Sequence, residues 1–343
     1  MENKLDINVL KKLPKLDLHL HLDGSVKPQT LLELAEAEGI TLPASDAERL
    51  LPFMRVEGDC PSLVDYLNKF DLVLPVMQTA YSIERIAYEV VEQAAEHNCK
   101  YIEVRMGARL HQQKGLSLDE VLEAFVDGLN RGEARFGVKA RGIIICMRNH
   151  APADNLEVIE AAARFMDRGV VAVDLAGPEH GYPPELHQEV FARAKKHGIP
   201  FTIHAGEAAG AESIYGAVVK LGTNRIGHGV RLKEDHSLLE LVRERRIPLE
   251  FCPISNIQTK ASNNWETYPV REYFDQGLLI TVNTDNLTVS DTNMTKELAV
   301  LTEHFDFTLP ELQRLVLNSV EAAFLDEEEK KKLHTDIIHE FTL

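Results

Sequence analysis

The sequence predicts an α/β fold: a (β/α)8 barrel with a helical insertion after its first strand and additional helices at its C-terminal end. Three observations carry this. Eight short apolar, β-branched runs occur, and from the second onward they recur about every 22 to 40 residues. The segments between them place apolar residues at three- and four-residue spacing, as amphipathic helices do. Few of the runs alternate in polarity except at their C-terminal ends, as parallel strands covered by helices should.

The first run, LDLHLHL (16–22), is followed after a long gap by YIEVRM (101–106) and ARGIIICM (140–147). Then come VVAVDL (170–175), PFTIH (200–204), RIGH (225–228), PLEFC (248–252) and LLITVN (278–283). Connecting segments such as SIERIAYEVVEQAAEHN and SLDEVLEAFVDGLNRGEARFG have helical periodicity. The long gap, about residues 28–98, holds several helical stretches and breakers at Pro43, Pro52, Pro61 and Pro75. It reads as an insertion on the face where barrel active sites lie. Within it, LLPFM and FDLVLPVM are apolar enough to line or cover a pocket as a lid. Past the eighth run the pattern is helical, and LDEEEKKKLHTDIIHEF reads as a solvated helix. No internal repeat, linker or low-complexity tract divides the chain, so residues 1–343 are expected to form one domain.

Composition narrows the function classes. With 54 acidic against 37 basic residues the formal net charge is −17, which disfavours nucleic acid or another polyphosphate as a partner. There is no P-loop and no GxGxxG after a strand. No apolar stretch approaches the length of a membrane span, and MENKLDINVLKKLPK lacks the apolar core of a secretion signal. Cys60, Cys99, Cys146 and Cys252 are scattered without a CxxC pair, the pattern of reduced thiols in a cytoplasm. The oligomeric state is not legible.

Chemistry in a barrel gathers at the C-terminal strand ends. Alternation along the first strand puts Asp17, His19, His21 and Asp23 on one face and Leu18, Leu20 and Leu22 on the other. The fourth strand ends in DLAGPEHG with Gly177, the fifth in FTIHAGE with His204 and Glu207, and the sixth in RIGHG with His228. The seventh ends in LEFCPISN and the eighth in TVNTDN with Asp285 and Asn286. One histidine alone would read as a satisfied core residue; four at converging strand ends, with an acidic eighth end, do not. Three imidazoles and a carboxylate suit zinc with one position left for water. The expected ligands are His19, His21, His204 and Asp285. VVAVDLAG offers no lysine to bridge a second ion, so one Zn2+ per chain is expected. His228 is placed to orient the metal-bound water. Glu207, three residues past His204 across the small pair Ala205-Gly206, is placed as a general acid.

LDLHLHLDGS, DLAG, HAGE, GHG, CPISN and NTDN, in this order and together with FDLVLPVM and YIEVR, closely resemble the adenosine deaminases of the amidohydrolase superfamily over about residues 13–325. The resemblance implies that Glu207 protonates purine N1 and that zinc hydroxide, oriented by His228 and Asp285, attacks C6. It implies that Gly177 donates its N–H to purine N3 and that His21 and Asp23 lie near the ribose 5′-hydroxyl. The substrate would be a small-molecule purine nucleoside, adenosine or 2′-deoxyadenosine, and the adenosine product inosine. One position departs: the family usually has two aspartates where this chain has Asp285-Asn286. The second is taken to donate a proton to N7, and an asparagine amide donates at every pH. The change also leaves open an adenine or modified-purine deaminase on the same machinery. Hydrolysis of another amide or ester, and catalytically idle purine binding, are the remaining readings; Glu207 and His228 argue against both.

Overall fold

The computed structural model describes residues 5–56, 60 and 62–341. Eight parallel strands follow in order: β1 (Lys15–His21), β2 (Cys99–Met106), β3 (Lys139–Met147), β4 (Val170–Ala176), β5 (Thr202–Ala205), β6 (Arg225–His228), β7 (Leu249–Phe251) and β8 (Ile280–Val282). β1–β4 pair in sequence, as do β5–β8. Parallel bridges Val173↔Phe201 and Leu20↔Asp285 join the two sets at both seams, giving the (β/α)8 barrel. β5 and β7 start later than the apolar runs do, because Pro200 and Pro248 have no N–H to give a ladder.

The helices are α1 (Ile7–Lys12), α2 (Pro28–Glu38), α3 (Ala47–Met54), α4 (Leu63–Leu67), α5 (Ala80–Glu96), α6 (Leu118–Phe136), α7 (Pro152–Phe165), α8 (Gln188–Lys196), α9 (Ala211–Tyr215), α10 (His236–Glu244), α11 (Pro253–Gln258), α12 (Val270–Asp275), α13 (Met294–His304), α14 (Leu309–Ala322) and α15 (Glu327–Phe341). Within the 28–98 segment, α5 starts at a Thr79–Ser82 capping box and packs on α6 and β2 as a wall helix of the barrel. The two apolar stretches there behave differently. From LLPFM, Leu50 and Met54 join the main core; from FDLVLPVM, Phe70, Asp71 and Leu74 face the active-site cavity. No helix among the described residues is long and apolar enough to cross a membrane, and all four cysteines are free and buried.

Strict alternation along β1 is overturned by a bulge. Asp17 pairs with Ile102 and Leu20 with Val104, so three steps on β1 match two on β2. Ile102 and Val104 face the helices, in the main core with Leu20 and Leu22. Their partner Asp17 therefore faces outward too, where it accepts hydrogen bonds from the N–H and hydroxyl of Thr284. Leu18 and His19 share the inward turn. Leu18 packs with Leu16 and Tyr101 at the barrel bottom, and His19 and His21 rise above it. Asp17 thus leaves the histidine face, and Leu18 joins it.

Between the apolar floor and the histidines lies a buried charged layer. Arg105 donates to Asp174 at 2.9 Å, to Glu250 at 2.9 Å and to the Leu18 carbonyl at 2.7 Å. Arg225 donates to Glu250 at 2.7 Å, meets Glu103 at 2.6 Å and reaches the Ala322 carbonyl at 3.0 Å. Arg225 so ties the barrel to the C-terminal helices, and its guanidinium covers the Phe324 ring at 3.8 Å. Removing one partner of such a buried pair leaves bare charge in the core. Arg225→Met is expected to lose about 3–5 kcal/mol in urea unfolding; a loss below about 1 kcal/mol would show that the layer contributes little to stability.

Candidate active site

Four side chains converge at the C-terminal mouth. Nε2 of His21 lies 3.3 Å from Nε2 of His204, and Oδ1 of Asp285 lies 3.5 Å from Nε2 of His19 and 3.4 Å from Nε2 of His21. The three imidazoles offer nitrogens within 4.8 Å of one another. Backbone bonds across the β1–β8 seam, His21 N–H to the Asp285 carbonyl at 2.7 Å and Asp285 N–H to the His19 carbonyl at 2.8 Å, hold the two strand ends together. Asp285 takes a left-handed φ of 63° and so does His228, a conformation that non-glycine residues adopt at a cost of about 1–3 kcal/mol and that gathers at functional sites.

The far nitrogens fix the tautomers. His19 Nδ1 is 2.8 Å from Glu250 and His204 Nδ1 is 3.0 Å from Asp174. Burial opposes ionisation of both acids, but Arg105 and Arg225 hold Glu250, and His204 and Arg105 hold Asp174, well below the usual carboxylate range. Each acid accepts, so each Nδ1 donates and each Nε2 turns its lone pair inward. His19 Nε2 is buried without a hydrogen-bond partner. Lone pairs facing one another beside a carboxylate repel unless a cation lies among them. Asp285 is itself held ionised: against the effect of burial, its contact with His19 lowers its pKa. His19, His21, His204 and Asp285 therefore fit a metal cation.

Two further groups stand beside this cradle. Glu207 follows Gly206, whose φ of 75° turns the chain back toward the cavity. Burial, then the charges of Asp285 and Glu179, push the Glu207 carboxyl up to about 8. His228 is fixed differently. The Cys252 N–H at 3.2 Å and the Tyr268 hydroxyl at 2.9 Å both donate to Asn256 Oδ1. That orients the amide so that its Nδ2 donates to His228 Nδ1 at 2.8 Å. The ring proton is left on Nε2, 3.5 Å from the Glu207 carboxylate. Burial holds the His228 pKa well below normal, so the ring is a neutral donor and not a base.

The cavity above has a volume of about 320 Å³. Asp23, Gly177 and Asn286 line it along with His21, Glu207 and His228. Burial raises the Asp23 carboxyl to about 6. Asn286 Nδ2 donates to the Tyr66 hydroxyl at 2.8 Å, which meets Ser290 Oγ at 2.6 Å; Tyr66 comes from α4 in the insertion. A Cβ at Gly24 would come within 1.7 Å of Asn286 Oδ1, so the glycine of LDGS is needed for Asn286 to reach its place. Of the nine residues singled out in the sequence, the fold brings eight to the wall of one cavity, and His19 lies buried against them. Sequence reasoning did not assign Arg105, Glu250, Asn256, Tyr66 or Glu179. The available signal was a charged residue inside an apolar parallel strand, as in YIEVRM and LEF, which must have a buried partner.

The sequence matches the adenosine deaminase family over residues 14–340. An adenosine deaminase of Clostridium botulinum is 43% identical over 323 residues, covering 94% of this chain and 98% of that protein. One of Clostridium kluyveri is 38% identical, covering 96% of this chain and 95% of that protein. Among solved structures, an adenine deaminase from Arthrobacter aurescens superposes with TM-score 0.89 at 26% identity, covering 96% of this chain and 100% of its own. An Arabidopsis N6-mAMP deaminase superposes with TM-score 0.86 at 26% identity, covering 97% and 99%. An amidohydrolase of Burkholderia ambifaria, solved with bound Zn, does so at 0.89 and 25%, covering 98% and 92%. Since the match runs from the first barrel strand into the last helix and the relatives align along nearly their whole length, this chain belongs to the adenosine deaminase family.

Proposed function

We propose that the chain hydrolyses adenosine and 2′-deoxyadenosine at C6, giving inosine or 2′-deoxyinosine and ammonia, with one Zn2+ held by His19, His21, His204 and Asp285. The observation that carries this is the buried Glu207 carboxyl group set 3.5 Å from Nε2 of His228, beside three imidazoles and a carboxylate. When bound, zinc would supply a water of lowered pKa and a Lewis acid. The rest is the work of the chain's own groups. The Glu207 carboxyl gives its proton to the ring nitrogen N1, which makes C6 electrophilic. His228 Nε2–H and Asp285 orient the attacking oxygen, and His228 stabilises its charge. The Gly177 N–H serves N3, Asn286 Nδ2 serves N7, and Asp23 with His21 serves the 5′-hydroxyl.

The cavity wall favours a nucleoside over a nucleotide. Among the described residues no Lys or Arg lines it, while Asp23 and Asp71 do; a phosphate dianion would meet carboxylates and no guanidinium or ammonium. Among the Arabidopsis structures of like fold, one is named an N6-methyl-AMP deaminase and others hold GMP and IMP. Asp23 at the sugar end favours a nucleoside over a free base. Asn286 keeps adenine or a modified purine as the second reading. The part of the inserted segment that precedes the wall helix α5 would serve as a lid through Tyr66, Phe70 and Leu74, which wall the cavity. The four reduced thiols suit a cytoplasmic enzyme without nucleic-acid or membrane partners.

Ultraviolet assays with adenosine, 2′-deoxyadenosine, adenine and AMP side by side test the substrate. The nucleosides should exceed the base and the nucleotide in kcat/KM by about 100-fold or more, the reach of a site whose polar groups are left unpaired by the wrong ligand. Faster turnover of adenine or AMP would replace the reading. Dialysis against a chelator should abolish turnover and one equivalent of Zn2+ per chain restore it; full activity in metal-free protein would remove the metal from the reaction. Glu207→Gln should lower kcat by about 10²–10⁴-fold while zinc content stays at one, the range of a positioned proton donor. The active form carries the proton on Glu207, so activity is complete below its pKa and falls as pH rises through it. A dication in the cradle draws that pKa down, which puts the alkaline limb of kcat/KM at or below about 8. Activity still rising at pH 9 would contradict the acid role.

A further inference from the structure

Glu179 lies in the loop after β4 and is 3% exposed. Its carboxylate receives four consecutive backbone N–H groups: Gly206 at 2.7 Å on Oε1, and Glu207 at 3.0 Å, Ala208 at 2.6 Å and Ala209 at 2.9 Å on Oε2. The left-handed turn at Gly206 makes these amides converge into a concave anion site. Residues 206–209 belong to neither helix nor strand, so no ladder supplies their acceptors. The carbonyls of the same stretch are tied from the opposite side. Arg148 donates to the His204 carbonyl, the Gly229 N–H to that of Ala205 at 3.0 Å and the Arg231 N–H to that of Gly206 at 3.1 Å.

We infer that Glu179 is a positioning residue for the acid: by accepting all four amides it fixes the backbone of Glu207 and so aims the carboxyl into the cavity. The inference rests on the reading of Glu207 as proton donor. Glu179 itself does not line the cavity; its reach to the reaction is through the loop. A carboxyl group can meet four donors because both of its oxygens accept. A glutamine in its place offers one accepting oxygen and turns an NH2 toward N–H groups that need an acceptor.

Steady-state kinetics of Glu179→Gln, with rates per zinc-loaded site, test this. We expect kcat to fall about 10- to 100-fold with KM within about twofold of wild type, the scale of loss when a reacting group is displaced by an ångström. Glu179→Asp, which keeps the charge but shortens the reach, should fold and lie between the two. Backbone amide exchange at 207–209 should quicken in Glu179→Gln. In a Glu207→Gln background, Glu179→Gln should change the residual rate less than about twofold, because residues that act through one another are not additive. A kcat within about threefold of wild type for both Glu179 variants, or an equal loss with and without the Glu207 carboxyl, would overturn the inference. If Glu207→Gln alone kept full activity, the acid reading itself would fail, a separate outcome.

Discussion

Arg105 is the constraint on which the site depends. It lies fully buried beneath the histidines and holds the two carboxylates, Asp174 and Glu250, that in turn hold His204 and His19. A guanidinium can do this because its planar fork of donors serves two acids at once. Charges in the barrel interior cannot be tolerated singly, so the layer is built of interlocking pairs. Glu103, Asp174 and Glu250 face Arg105 and Arg225, and Asp285 just above has imidazoles as its partners. The carboxylates of the layer thus hold the imidazoles whose free nitrogens, with Asp285, suit a metal cation.

The same pairing explains why neighbouring acids behave in opposite ways. Asp285, Asp174 and Glu250 have positive or hydrogen-bonding partners and stay ionised. Glu207 is buried with carboxylates for neighbours and keeps its proton to a higher pH. Divergence of two buried carboxyl groups by environment is a general way for a fold to run acid and base roles together. His228 is kept neutral by burial and the neighbouring His19, and its proton is set by the Asn256 amide. Each group's protonation follows from what touches it.

Much of this was legible in the sequence, for physical reasons that also mark the limits. The eight runs and their helical spacers could be read because burial on both faces leaves parallel strands continuously apolar. The ligands could be read because His19, His21, His204 and Asp285 stand at strand ends where apolar residues would otherwise continue. Arg105 and Glu250 could not be assigned, since their partners lie on other strands and a one-dimensional pattern does not say which strands face. Asp17 was misplaced for a related reason: a bulge is a mismatch between two strands and has no signature in either alone. The role of Glu179 is likewise invisible in PEHG, because its four partners are backbone amides that every residue carries.

That bulge has a consequence for anyone who would graft this centre onto another barrel. The spacing of two histidines one residue apart is not what turns both of them inward above a leucine; the surplus residue against the neighbouring strand is. A host strand given the letters HLH in uniform register would present the pair a level off, or hand an acidic neighbour to the interior in place of an aliphatic one. What must be transplanted is a local difference in chain length between adjacent strands, and the letters second.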